Sequence, residues 1–221
     1  MIKYILALIF ILLFVVMVFV GIGNYNSRYS DLPQKDGYSF LNQFPYELQN
    51  NETMKYSTVF RVIAALFGAS FIVFGVYLFM FKDMYNTVKI MHDYVLGTLF
   101  IVDGVAMFSI FTLTLRKYRQ HLIMTSTLFA STITLFAYLG FFVFVDPREI
   151  YHLSLGIISF IVAAALLATL LITPLKKWMY LEKEEVDGRI TYHRKRISIL
   201  PFMEWIFILV NVLLVILLMI F

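Results

Sequence analysis

The chain has 221 residues, of which 61% are hydrophobic and only 14% charged, with a mean hydropathy of +0.84. Soluble domains run at roughly 45–50% apolar residues, so a water-soluble fold of this length could not hide so much apolar surface, and the absence of cysteine removes disulfide frameworks, thiolate metal sites and cysteine nucleophiles. The net charge of +4 and pI near 9.2 do not point to nucleic acid, because the basic residues sit in short segments flanking apolar runs.

Six apolar runs follow one another, at about 2–23, 62–81, 94–115, 122–145, 150–172 and 200–221. Each reaches the 18 or more residues needed to cross a hydrocarbon core of roughly 30 Å at 1.5 Å per residue. They are continuously apolar rather than alternating, which requires helices and excludes a β-barrel, since lipid offers no partner to an open peptide group. The expected fold is an all-α polytopic membrane protein of about six transmembrane helices, a single membrane domain over 1–221 with no separate soluble part.

The first run carries Lys3 near its start, as a secretory signal would. Its apolar stretch exceeds the 7–15 residues of a signal core, and Gly21-Ile22-Gly23-Asn24 makes a poor cleavage site, so a retained helix is expected. A polar loop, 24–61, comes next. Its Arg28, Lys35, Lys55 and Arg61 are balanced by Asp31, Asp36, Glu47 and Glu52.

The second and third runs echo one another. Gly68-Ala69-Ser70-Phe71-Ile72-Val73-Phe74-Gly75-Val76 reappears as Gly97-Thr98-Leu99-Phe100-Ile101-Val102-Asp103-Gly104-Val105, and the fifth run offers a looser version around Gly156 and Phe160-Ile161-Val162. Glycines seven apart share a helix face and give a neighbouring backbone a flat stripe, the usual basis of helix association in lipid. In the fourth run Thr127, Ser131 and Thr134 provide hydroxyls that can bond across helices or back to their own carbonyls.

Asp103 is the residue that most asks for a role, because it lies near the middle of the third run with no charged neighbour in sequence. An acid there must be neutral, face a wet cavity or meet a polar partner. The candidates for that partner are Asn211 in the sixth run, the hydroxyls of the fourth, Tyr138, Arg61 and Glu204. Asp103 and Asn211 form the candidate intramembrane site, read either as a coupling carboxylate for an ion or proton, or as interhelical glue.

Between the fourth and fifth runs, Asp146-Pro147-Arg148-Glu149 reads as a tight turn. Glu149 and His152 have the Glu-x-x-His spacing that metal-binding bundles use twice, but here it occurs once. His92 and His121 lie at run ends, where rings commonly sit at headgroup level. No further Glu/His set completes a shell, and no His lies deep enough for haem. Neither metal nor cofactor is expected.

The loop 174–199 alternates charge clusters: Lys176-Lys177, then Glu182-Lys183-Glu184-Glu185, then Arg194-Lys195-Arg196. Trp178, Tyr180 and Trp205 flank it as interfacial anchors. Lys176, Lys177, Arg194, Lys195 and Arg196 are read as a candidate cytoplasmic docking hairpin for a partner or anionic lipid, or simply as topogenic charge. If all six runs span, 14 of the 18 Lys and Arg residues fall on one side, in 24–61, 116–121 and 174–199; Lys3, Lys82, Lys89 and Arg148 fall on the other. The positive-inside bias then places both termini outside the cytoplasm, with Lys3 and the free amine opposing it.

The sequence lacks a Walker A segment, H-E-x-x-H, G-x-S-x-G and paired intramembrane aspartates, so no enzyme is expected. Heavy use of Ile, Phe, Tyr, Asn and Lys suits an AT-rich bacterial genome. The expected function is that of a non-enzymatic cell-membrane protein working by contact with a protein partner or a second copy. An accessory component of a secretion or export system, or an immunity protein against a membrane-active toxin, would fit. The alternative is a small-solute or ion permease, or a transporter's membrane subunit, with Asp103 as its coupling carboxylate. The lipid bilayer is a partner in either case, and nucleic acid in neither.

Overall fold

Uninterrupted apolar sequence without internal Pro leaves each long run free to close its own hydrogen bonds as a helix. The computed structural model describes residues 2–24, 38–41, 43–49, 57–80, 87–112, 118–145, 150–174, 178, 181–186, 189–194 and 197–220. Six helices appear: α1 (Ile2–Asn24), α2 (Ser57–Met80), α3 (Thr87–Thr112), α4 (Tyr118–Val145), α5 (Ile150–Ile172) and α6 (Ile199–Ile220). Pro201 falls in the first turn of α6, where its missing N–H costs nothing. Five helices are long and apolar enough to cross a membrane, while the apolar part of α1, Leu8–Gly23, is shorter. Helices α2, α3 and α4 each begin about a turn or more before the apolar run does, because a helix need not stop where the hydrocarbon ends.

Glycine determines how α2 and α3 meet. These antiparallel helices approach so closely that a Cβ built on Gly75 would lie 2.5 Å from the Gly97 carbonyl oxygen, and one on Gly68 would lie 2.7 Å from Phe108 Cα. The repeated glycines of the second and third runs therefore face each other across one seam. Helix α1 packs on α2 through aromatic contacts, with the Phe10 ring 5.2 Å from Phe67 and 4.7 Å from Phe71 between centroids. Gly140 of α4 lies against Phe160 of α5, and α6 contacts both α1 and α4.

Helices α4 and α6 run parallel, since His121, Phe129 and Thr132 meet Glu204, Phe207 and Asn211 in the same order. At the end where both start, the loop between α1 and α2 is not the plain polar connection expected. Residues 43–49 fold inward, with a 3-10 turn over Pro45–Gln49 that touches α1, α2, α3 and α6. Gln43, Phe44 and Leu48 are fully buried.

At the same end, the charged loop contains a β-hairpin, β1 (Leu181–Val186) and β2 (Arg189–Arg194), paired antiparallel from Leu181↔Arg194 to Val186↔Arg189. Two residues, Asp187 and Gly188, separate the strands, and Asp-Gly is among the sequences that favour a two-residue hairpin link. The hairpin is the one addition to an otherwise all-helical fold among the described residues.

Candidate functional site

The middle of the bundle holds a short polar chain across three helices. Asp103 on α3 is fully buried and accepts a hydrogen bond at Oδ1 from the Ser131 hydroxyl of α4. Helix α4 also offers Ser131 the carbonyls of Thr127 and Leu128, at 2.7 and 3.2 Å. Thr132, the next residue, faces the same carboxyl group and accepts from Asn211 Nδ2 of α6 at 2.6 Å. The Asn211 amide also donates to the Phe207 carbonyl at 3.2 Å, which fixes its orientation. Two acceptors in this chain, Asp103 Oδ2 and Asn211 Oδ1, meet no hydrogen-bond partner among the described residues.

The sequence reading named Asp103 and Asn211 together, and the structure joins them through Thr132 rather than directly. Of the other candidate partners, Tyr138 instead meets His92, hydroxyl to Nδ1 at 3.3 Å. Thr127 and Thr134 donate to carbonyls of their own helix, Ile123 and Ala130. Arg61 has a buried Nε without a partner among the described residues.

Glu204 belongs to a second cluster that the sequence reading missed. His121, expected at the end of its run, is buried within the protein there, with 2% of its surface exposed. Its Nε2 lies 2.9 Å from Glu204 Oε1, and Thr125, one turn along α4, donates to the same oxygen at 2.7 Å. Burial comes from the inward-folded loop, whose Phe44 ring meets the imidazole edge-on at 5.4 Å. Trp205 holds that loop down by donating from Nε1 to the Tyr38 hydroxyl at 2.9 Å, and Ser198 N donates to the Leu41 carbonyl at 2.8 Å. Within the loop, Glu47 Oε1 accepts from Phe44 N at 3.3 Å. Spacing offered one signal for this cluster: His121 and Thr125 share a helix face, and Glu204 is the only acid of its run.

The His121–Glu204 pair stands about 10 Å along the α6 axis from Asn211, seven residues at 1.5 Å each. The stacked rings of Phe129 and Phe207, 4.1 Å between centroids, lie between the two clusters. An apolar groove of about 330 Å³ between α1, α2 and α6 carries no titratable side chain in its lining, so it adds nothing to the chemistry.

Among the described residues, no group of three or more His, Asp or Glu side chains could hold a metal ion. The Glu149 and His152 side chains fall outside the described residues, as do Lys176, Lys177, Lys195 and Arg196; of Arg194 only the backbone is described, as the end of β2.

Long apolar helices whose buried polar groups meet one another in the middle of the spans define a polytopic α-helical membrane protein. No protein-family model, curated protein or solved structure matches the chain.

Proposed function

We propose that this is a non-enzymatic membrane protein that acts by contact, through the end of the bundle that carries the β-hairpin. The observation behind this reading is the hairpin itself: a regular element beyond the helices, built from a segment dense in Lys, Arg and Glu. A lone two-stranded hairpin is marginal in water, and a partner lying along it would supply the stability it lacks. That end also collects the basic loops, and the positive-inside bias supports a cytoplasmic side for it, with both termini opposite. An export-system accessory subunit or an immunity protein is the kind of component this describes. Co-purification after gentle solubilisation tests the reading: deleting 181–194 should release the partner while the bundle stays folded. A protein that always isolates alone would overturn it.

One observation favours a second reading, an ion permease or a transporter's membrane subunit. Asp103 lies at mid-span with a buried oxygen that meets no partner among the described residues, and buried acids at that depth commonly serve ion pathways. Here Asp103→Asn should abolish ion flux into protein-loaded vesicles while folded protein remains. Undiminished flux would remove the carboxylate from the mechanism.

A further inference from the structure

We infer that Asp103, Ser131, Thr132 and Asn211 form a binding site for a single alkali-metal cation, with sodium as its natural probe. Each of the four side chains is at least nine-tenths buried. The argument starts from two oxygens, Asp103 Oδ2 and Asn211 Oδ1, neither of which finds a donor among the described residues. Leaving such acceptors bare costs several kcal/mol apiece in a lipid-embedded interior. One bridge, Thr132, stands between their side chains, since it faces the Asp103 carboxyl and takes its hydrogen bond from the Asn211 amide.

Proton accounting favours an ion. A proton on Asp103 would serve both oxygens only by lying on the line between them, whereas a cation accepts a lone pair from each without that constraint. A carboxylate, in contrast, needs a positive charge, and the described imidazoles stand well away from it: His92 lies eleven residues before Asp103 on α3, and His121, ten residues before Ser131 on α4, is already engaged with Glu204. The donor set is all oxygen, one carboxylate with two hydroxyls and one amide carbonyl. Such ligands suit hard cations rather than the softer transition metals. A single carboxylate neutralises one charge, whereas calcium sites gather several acidic or carbonyl ligands and magnesium keeps its waters. The depth also fits: Asp103, Ser131 and Asn211 lie well inside the spans Met91–Thr112, Arg119–Phe142 and Ile199–Leu218, and midplane sites between helices are where membrane proteins hold desolvated ions. This inference concerns binding and stands whether the protein works by contact or by flux.

The test is thermal unfolding of the full-length protein in detergent, in sodium chloride against choline chloride at equal ionic strength. A ligand that binds only the folded state raises its stability with the logarithm of its concentration above Kd, so the wild-type melting temperature should climb with sodium and not with choline. Thr132→Val, which keeps the side-chain shape and removes one ligand oxygen, should weaken the apparent sodium affinity about tenfold, the worth of one modest interaction. Asp103→Asn should abolish the sodium response. Ser70→Ala, whose hydroxyl bonds its own helix at the Phe67 carbonyl, should keep it in full. Radioactive sodium binding to wild-type protein gives the same answer without relying on any variant to fold. Equal melting in sodium and choline, or a sodium response that survives Asp103→Asn, would overturn the site.

Discussion

Replacing Gly75 by alanine tests the α2–α3 seam directly. The new Cβ would sit 2.5 Å from the Gly97 carbonyl oxygen and 2.8 Å from Ile101 Cγ1, against about 3.4 Å for an ordinary contact. The Ile101 side chain can swing aside, but the carbonyl belongs to the backbone of α3 and cannot. The helices must therefore part by about 0.9 Å locally, and a gap of that size forfeits a quarter to a half of each dispersion contact it opens. Overpacking of this kind costs about 1–3 kcal/mol, partly offset by the gain of up to about 1 kcal/mol when alanine replaces glycine in a helix. Gly23→Ala supplies the matched control, since nothing lies within 4 Å of its Cβ and only the propensity gain remains. Unfolding in detergent should rank Gly75→Ala below wild type, and below Gly23→Ala by about 2 kcal/mol. Equal stability of the two variants would show that the backbones do not meet at Gly75.

The buried pair at the start of α4 and α6 should behave as a unit: His121→Leu alone leaves Glu204 without its imidazole and should cost about 3–5 kcal/mol, while adding Glu204→Leu recovers part of that loss. Additive losses in the double variant would argue against the contact. Trp205→Phe removes the indole donor to Tyr38 and Gln43, so proteolysis between residues 38 and 49 should accelerate several-fold in detergent, with cleavage elsewhere unchanged. Because the chain has no cysteine, single cysteines report sidedness without background. An introduced cysteine at Lys177 should resist a membrane-impermeant thiol reagent in intact cells and one at Lys82 should react; the reverse pattern would invert the proposed topology.

Helix number and solvent were legible because they rest on long-range composition: an 18-residue apolar window is visible without knowing what any helix touches. The Gly68/Gly75 and Gly97/Gly104 stripes were legible too, since a seven-residue spacing defines a face regardless of partner. Contacts between distant segments were a different matter. Asp103 was visible as an anomaly, but its link to Asn211 through Thr132 depends on α4 and α6 running parallel, and no local pattern encodes that. His121 reads from sequence as an interfacial ring, and it becomes a buried one only because Phe44, nearly eighty residues earlier, is folded over it. The inward fold of 43–49 left a faint trace, the apolar Phe44 and Leu48 inside an otherwise polar loop, which averaging over 24–61 erased.

The parallel pairing of α4 with α6 bears on the site in a further way. The α2–α3 seam is held by backbone contact at glycine, which tolerates little sliding, because a shift moves a side chain into a space that admits none. The α4–α6 seam is held by Glu204 on His121 and Thr125, by Phe129 on Phe207 and by Asn211 on Thr132. Hydroxyls and amides can exchange partners at little cost, as polar contacts in membranes average only about 0.6 kcal/mol. Asp103 projects from the glycine-locked pair onto the exchangeable one. An ion held between Asp103 and Asn211 would therefore bridge the rigid and the adaptable parts of the bundle, and its loss would be felt first along α4 and α6, at whose shared start the inward loop and the charged hairpin are attached.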